Sequence, residues 1–276
     1  MNLRSLPELG AVRDIVIDVS RTCLSGAVNR DPIHKADGSL VTKTDLDLQR
    51  SIHLALKRHW PDISFLGEEM PVEQQNAAIA NSNALLWCLD PLDGTTNFTS
   101  ALPFYGISLA LVKKGRPRLA VVYDPNRNEC FEAQKGDGAY LNGELLAPPC
   151  EFPLSRCIAC VDLKRLPSEL AQRLASGPPY RSQRNLGSSV LEWCWLAAGR
   201  FQLYLHGGQQ PWDQAAGSLI LAEAGGRAKT INGYSLTVAG LDAQSVVGAA
   251  NPLVFTRWYE WVQNHWPHAA VEQSAR

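Results

Sequence analysis

The sequence predicts a mixed α and β protein in two parts: two helices set against an antiparallel sheet, then a half in which short strands and helices alternate. Three features carry that expectation. Apolar residues recur at spacings of three and four near the start of the chain. Short alternating or continuous apolar runs, broken by turn residues, fill the rest of the first half. Beyond a Pro-rich stretch ending at Pro153, strand-like and helix-like segments take turns. The boundary falls near 146–153, dividing the chain into 1–148 and 149–276.

In order, Leu9, Val12, Val16, Val19 and Cys23 form one helical stripe. The polar segment 29–39 reads as a loop. Thr44 is a candidate cap for a second helix, whose face carries Leu48, Ile52, Ala55, Leu56 and His59, and which Trp60-Pro61 ends. The run Ala84–Leu89 is apolar throughout and too short for a helix, so it reads as a buried strand that delivers Asp90 at its end. Tyr105–Val112, Leu119–Tyr123 and Cys130–Ala133 follow as strands, and Asn142-Gly143 signals a hairpin. In the second half, strands are expected at 157–161, 183–186, 201–205 and 245–249. Helices are expected at 168–176, 188–198, 213–224 and 252–265. No internal repeat is visible.

Composition narrows the class of function. Of 276 residues, 45% are hydrophobic and 19% charged, which excludes disorder as the dominant state. Lys plus Arg number 26 against 27 Asp plus Glu, so no global charge draws the chain to nucleic acid or an anionic membrane. No apolar run approaches the roughly 18 residues of a membrane span. Arg4, Pro7 and Glu8 interrupt any signal-peptide core. A cytoplasmic protein is expected, and the odd set of seven scattered cysteines agrees. Cys157 and Cys160 form a C-x-x-C, but they sit in a short apolar run with no second pair to complete a zinc site, so they read as core.

The most informative string is Asp90-Pro-Leu-Asp93-Gly-Thr-Thr-Asn-Phe98. Two carboxylates three apart follow a buried strand. Pro91 stiffens the turn, Gly94 permits close approach of backbone to a ligand, and Thr95-Thr96 open a candidate helix whose free N–H groups favour an anion. This suits a phosphate held between hard cations and a helix start. Other acidic elements are weaker alone. Glu68-Glu69 after Phe65-Leu-Gly67 reads as a surface turn, Asp213 in Trp212-Asp-Gln-Ala-Ala-Gly217 as a helix cap, and Asp45 as a helix-dipole partner. Four carboxylates from separate segments can nonetheless supply the oxygen ligands Mg²⁺ requires.

Together these elements resemble the inositol monophosphatase family. The likeness rests on Gly67-Glu68-Glu69, the 90–98 string, 212–217, and Lys35 with the stretch 37–45. It extends to the Asn185-Leu-Gly187-Ser-Ser189 loop, Ala198-Gly199 and the Gly225-Gly226 helix stop, and covers about 30 to 250. The resemblance implies a layered α-β-α-β-α fold and Mg²⁺-dependent hydrolysis of a small phosphate monoester by a metal-activated water. It implies two to three Mg²⁺ ions: one held by Glu68, Asp90 and the Leu92 carbonyl, one by Asp90, Asp93 and Asp213, and a weaker one near Glu68. Thr95 would contact the attacking water and Asp45 would accept its proton. The N–H groups of Gly94 and Thr95 would bind phosphate, and Lys35 would stand nearby. Gly187, Ser188, Ser189, Asp93, Asp213 and residue 206 would face the rest of the substrate. Lithium inhibition and a homodimer are also implied.

One departure stands out. Inositol-specific members carry an acidic residue seven positions before the Trp-Asp aspartate, and here that position is His206. The imidazole is either a surface-loop residue or a sign of altered preference, toward a substrate with a second anionic group or an aromatic part. Trp193 and Trp195, on the helix that begins at Gly187-Ser188-Ser189, read as core. The expected substrate is an inositol 1-phosphate-like polyol or sugar phosphate. Alternatives within the chemistry are 3′-phosphoadenosine 5′-phosphate, histidinol phosphate and fructose 1,6-bisphosphate. A regulatory binding protein of the same fold is the alternative from another class.

Overall fold

The computed structural model describes residues 6–266 except 26–30, 36–37, 39, 81–84 and 148. The N-terminal five residues, parts of the predicted 29–39 loop, Ala84 and Pro148 therefore lie outside the described residues.

In chain order the elements are α1 (Leu9–Ser25), β1 (Ile33–His34), β2 (Leu40–Val41), α2 (Lys43–His59), β3 (Ser64–Gly67), α3 (Val72–Ala80), β4 (Leu85–Asp93) and α4 (Thr95–Thr99). Then come β5 (Gly106–Lys113), β6 (Arg116–Asp124), β7 (Glu129–Gln134), β8 (Ala139–Leu141) and β9 (Glu144–Leu145). The second half holds β10 (Ile158–Val161), α5 (Ser168–Ser176), β11 (Ser182–Arg184), α6 (Ser189–Ala197), β12 (Leu203–Gln209) and α7 (Pro211–Glu223). It ends with β13 (Arg227–Lys229), β14 (Gln244–Ala249) and α8 (Pro252–His265).

The stacking is five-layered, an α+β architecture. The seven-stranded sheet runs β3-β4-β5-β6-β7-β8-β9, with β3 parallel to β4 and every later pair antiparallel. Val12 and Val16 of α1 and Leu48, Ile52 and Leu56 of α2 bury against one face, with Trp87, Leu109 and Val121. These are the stripes that period 3.6 places on one side of each helix. The other face packs on α6 and α7, and these two helices also cover one face of the second sheet, order β11-β10-β12-β14-β13. The outer face of that sheet is covered by α5 and α8 through Leu170, Leu174, Val254 and Trp258. Helices α6 and α7 are apolar on almost every side because both flanks are sheet.

Three expectations are corrected. The cap of α2 is Thr42, not Thr44, with Asp45 at the third helical position. Thr44 instead sits inside the first turn. The predicted loop 29–39 contains one strand of a two-stranded ladder, Ile33–His34 with Leu40–Val41. The strand carrying Asp90 does not stop there but continues to Asp93 across an irregularity in its pairing with β5. Cys157 and Cys160 are free and buried, Cys157 in the outer core and Cys160 in the central one.

Candidate active site

One cavity of about 1000 Å³ opens at the ends of β3 and β4, between the first turns of α6 and α7. Its floor is the irregular end of β4. Buried strand pairing up to Asp90 fixes the backbone, and the break in register between Asp90 and Asp93 turns both carboxylates into the same space. Gly94, at φ 87, then reverses the chain into α4, and a Cβ there would stand 3.1 Å from the Phe104 carbonyl.

Asp90, Asp93 and Asp213 each place a carboxylate oxygen within 4.8 Å of the others. Each is oriented through one oxygen. Asp90 Oδ1 accepts from Leu92 N–H at 3.1 Å. Asp93 Oδ2 accepts from Ser188 Oγ at 2.7 Å and Val190 N–H at 2.8 Å, which ties the first sheet to α6. Asp213 Oδ2 accepts from Gln210 N–H at 2.9 Å at the start of α7. Asp213 was expected as the cap; the cap is instead Gln210, with Asp213 at the third helical position.

Burial and mutual repulsion push these carboxyls upward. Burial comes first for Asp90, followed by the charges of Glu68, Asp93 and Asp213, and its pKa rises well above the carboxylate range. Asp213 rises through burial and the charges of Asp93 and Glu68, opposed by the Gln210 N–H bond and then by Arg165. Asp93 is raised by burial to about 6, against the hydrogen bonds from Ser188 and Val190. Glu68 lines the same cavity, near enough for its side chain to hydrogen-bond Asp90 and raise it. It is also drawn toward Lys35, whose Nζ lies 3.1 Å from Glu68 and 2.6 Å from Glu69. Burial and the Glu68 charge raise Glu69 to about 7.

This donor set can hold a metal. It is all oxygen, hard and anionic, and no lysine or arginine nitrogen makes an ion pair with Asp90, Asp93 or Asp213 among the described residues. A hard divalent cation is the partner that such buried, mutually repelling carboxylates fit.

Beside the cluster, the Thr95 hydroxyl lies 3.1 Å from the Leu92 carbonyl and 3.2 Å from Asp45 Oδ1, so its one proton can go to either. Asp45 Oδ2 accepts from Thr42 N–H at 2.8 Å and from the Thr42 hydroxyl. Burial raises the Asp45 carboxyl, opposed by these bonds. Gly94, Gly187, Ser188 and Ser189 all line the cavity.

His206 is also in its wall but only 4% exposed. Its Nδ1 accepts from Gly208 N–H at 3.2 Å, which leaves Nε2 as the protonated nitrogen, 3.5 Å from Asp162 Oδ2. Burial drops its pKa to about 4, so the ring is neutral near pH 7.

Three residues not singled out from the sequence shape the site. Gln75 of α3 donates to the carbonyls of Gly67 at 3.1 Å and Glu68 at 2.9 Å and so fixes the Glu68 backbone. Asn97 donates to Phe104 O at 2.7 Å and Leu186 O at 2.8 Å, joining the acidic motif to the 185–187 loop. Glu192 accepts from the N–H groups of Leu186 at 2.8 Å and Gly187 at 3.2 Å from beneath that loop. Asn97 was legible as part of the motif. Glu192 is marked in the sequence as a carboxylate inside an apolar helix.

Fold and site together define a layered α+β protein with an acidic pocket that could hold a metal ion. The profile of the Inositol monophosphatase family matches residues 11–270. The chain is 36% identical over 201 residues to inositol monophosphatase 1 of Solanum lycopersicum, covering 70% of this chain and 73% of that one. It is 34% identical over 204 residues to the Nus factor SuhB of Pasteurella multocida, covering 72% and 74%. Among solved structures, the Staphylococcus aureus IMPase-II bound to inositol monophosphate superposes with a TM-score of 0.80 at 25% identity, covering 96% of both chains. The chain belongs to the inositol monophosphatase family and is a phosphoric monoester hydrolase.

Proposed function

We propose that this enzyme hydrolyses the phosphate monoester of a small polyol or sugar, with Mg²⁺ as its resident cation. The observation that carries the reading is the convergence of Asp90, Asp93 and Asp213 next to the Thr95–Asp45 pair. Those three aspartates, Glu68 and the Leu92 carbonyl would hold two to three ions. Bound there, Mg²⁺ would offset the charge of the phosphate and acidify a coordinated water.

The remaining work belongs to the chain. Thr95 Oγ accepts a hydrogen bond from the attacking water and passes its own proton toward Asp45 Oδ1. A threonine hydroxyl is too weak a base alone, and the raised Asp45 carboxyl is closer to neutrality than an exposed aspartate. The N–H groups of Gly94 and Thr95 take phosphate oxygens. Ser188 and Ser189, with Gly187, face substrate hydroxyls. Lys35, held by Glu68 and Glu69, keeps one positive charge at the rim.

The same reading makes the protein a cytoplasmic, lithium-sensitive homodimer of two parts, 1–148 and 149–276, with no membrane or nucleic-acid partner. Seven free cysteines support a reducing compartment. No helix among the described residues is long and apolar enough to cross a membrane. The test is phosphate release by the purified protein with Mg²⁺ from myo-inositol 1-phosphate, 3′-phosphoadenosine 5′-phosphate, histidinol phosphate and fructose 1,6-bisphosphate. Turnover of at least one is expected, and silence across the panel contradicts the reading. The name of the P. multocida relative supports a second reading, a regulatory binding role on the same scaffold. It predicts a partner bound equally well by a hydrolytically dead variant.

A further inference from the structure

The lining of the cavity also carries two basic side chains, Lys164 and Arg165, the second close enough to act on the Asp213 charge. Asp162 begins a single 3₁₀ turn, Leu163–Arg165, that leaves β10 and lies across β12. The contact is intimate, since a Cβ on Gly207 would overlap the Arg165 carbonyl. This backbone packing sets Lys164 and Arg165 on the cavity lining. Asp162 is engaged from several sides. Its Oδ1 accepts from Lys164 N–H at 3.1 Å and Asn185 Nδ2 at 3.3 Å, and its Oδ2 meets His206 Nε2 and Arg165 Nε, both at 3.5 Å.

Arg165 meets Asp162 through Nε at 3.5 Å and its side chain is 58% exposed, so its terminal guanidinium nitrogens are accessible to an oxyanion. Lys164 adds an ammonium, and His206 is neutral. The wall thus carries two cationic side chains against one carboxylate. The cavity, about 1000 Å³, sits at the upper end of small-ligand sites. A small polyol monophosphate clamped at the acidic cluster does not need that space or that charge.

We propose that Lys164 and Arg165 form a second-anion subsite, so that the preferred substrate is a small phosphate ester carrying a further phosphate or carboxylate away from the scissile group. This rests on the phosphatase reading above and deepens it. His206 and Asp162 are positioning residues: the neutral imidazole and Gly207 let the turn close, and Asp162 aims the guanidinium. An acidic side chain at position 206 would face Asp162 and repel the second anion, so histidine and the basic turn belong together.

The test compares matched pairs in the wild type and the Lys164→Ala/Arg165→Ala variant. One pair is fructose 1,6-bisphosphate against fructose 1-phosphate, and the other is 6-phosphogluconate against glucose 6-phosphate. Each is measured as kcat/KM with Mg²⁺ and as Kd by calorimetry. Charge-assisted contacts predict a wild-type preference of about tenfold or more for the doubly charged member of at least one pair. That ratio falls to about one in the variant. The first pair reports a second phosphate and the second a carboxylate. A ratio near one in the wild type, or an equal loss on both members that preserves the ratio, overturns the subsite. If no ester is hydrolysed yet calorimetry shows the ratio and its collapse, the subsite stands and the phosphatase reading falls. If all are hydrolysed with flat ratios, the reverse holds.

Discussion

Two parts of the cavity lining handle charge in opposite ways. In the acidic cluster, Asp90, Asp93 and Asp213 face one another, and each is steered by protein donors with no ion pair to it among the described residues. In the 162–165 turn, Asp162 is met by Arg165, Asn185, His206 and a backbone N–H, so its charge is answered from within the chain. The first arrangement is complete only with an outside cation. The second is complete by itself and has spare donors for an anion. The contrast separates the chemistry, which needs an unbalanced cluster, from recognition, which needs a rigid, balanced one.

The largest effect that separates the two parts is expected for Asp93→Asn. It removes one charge from the cluster but keeps an oxygen to accept from Ser188 and Val190. Losing a contribution of several kcal/mol predicts a fall in kcat/KM on the order of a thousandfold with an unchanged circular dichroism spectrum. Near-normal turnover would remove Asp93 from the metal set. Next, Thr95→Ala and Asp45→Asn should each lower kcat about a hundredfold at similar KM, measured in steady state, and the double variant should be little worse than either single one. Additive losses would mean that the two residues do not act as a pair.

On the basic wall, Gly207→Ala must push the 163–165 turn away. Chemical denaturation should show a loss of about 1–3 kcal/mol. Gly208→Ala, whose added carbon would meet Ala243 Cβ at an ordinary 3.4 Å, should be close to neutral. Equal stability of the two variants would show that the turn is not held by that contact.

The smallest effect concerns Glu192. Burial raises its pKa to about 7, above the ordinary carboxyl value of about 4.3 that it has when unfolded. The folded state therefore binds this proton more tightly, and its stabilising contribution, full below the unfolded pKa, is lost as pH rises from about 4.3 to 7. With Mg²⁺ saturating, Glu192→Gln should flatten that part of the Tm profile by several degrees relative to wild type. Parallel profiles would show that Glu192 is charged in both states.

Much of this was readable in advance where a local pattern suffices. The 168–176 and 252–265 helices expected from the sequence have the bounds observed, and the second is capped by the Asn251 side chain ahead of Pro252. The apolar run before Asp90 announced the strand that builds the site floor. Two-residue strands such as β1 and β2 carry no period to detect. Thr42 and Thr44 are equally able to cap α2 by residue type, and only the Thr42–Asp45 bonds decide between them. The basic wall was out of reach, because residues 162–165 and 206 meet only through the pairing of β10 with β12. Gln75 likewise reaches Glu68 through a helix with too weak an apolar face to be noticed.

The most direct measurement is calorimetric titration of Mg²⁺ into metal-free wild type and Asp213→Asn protein. The wild type should bind more than one ion per chain, and the variant should lose at least one. No binding by the wild type, or an identical isotherm for the variant, would contradict a cation site built by Asp90, Asp93 and Asp213.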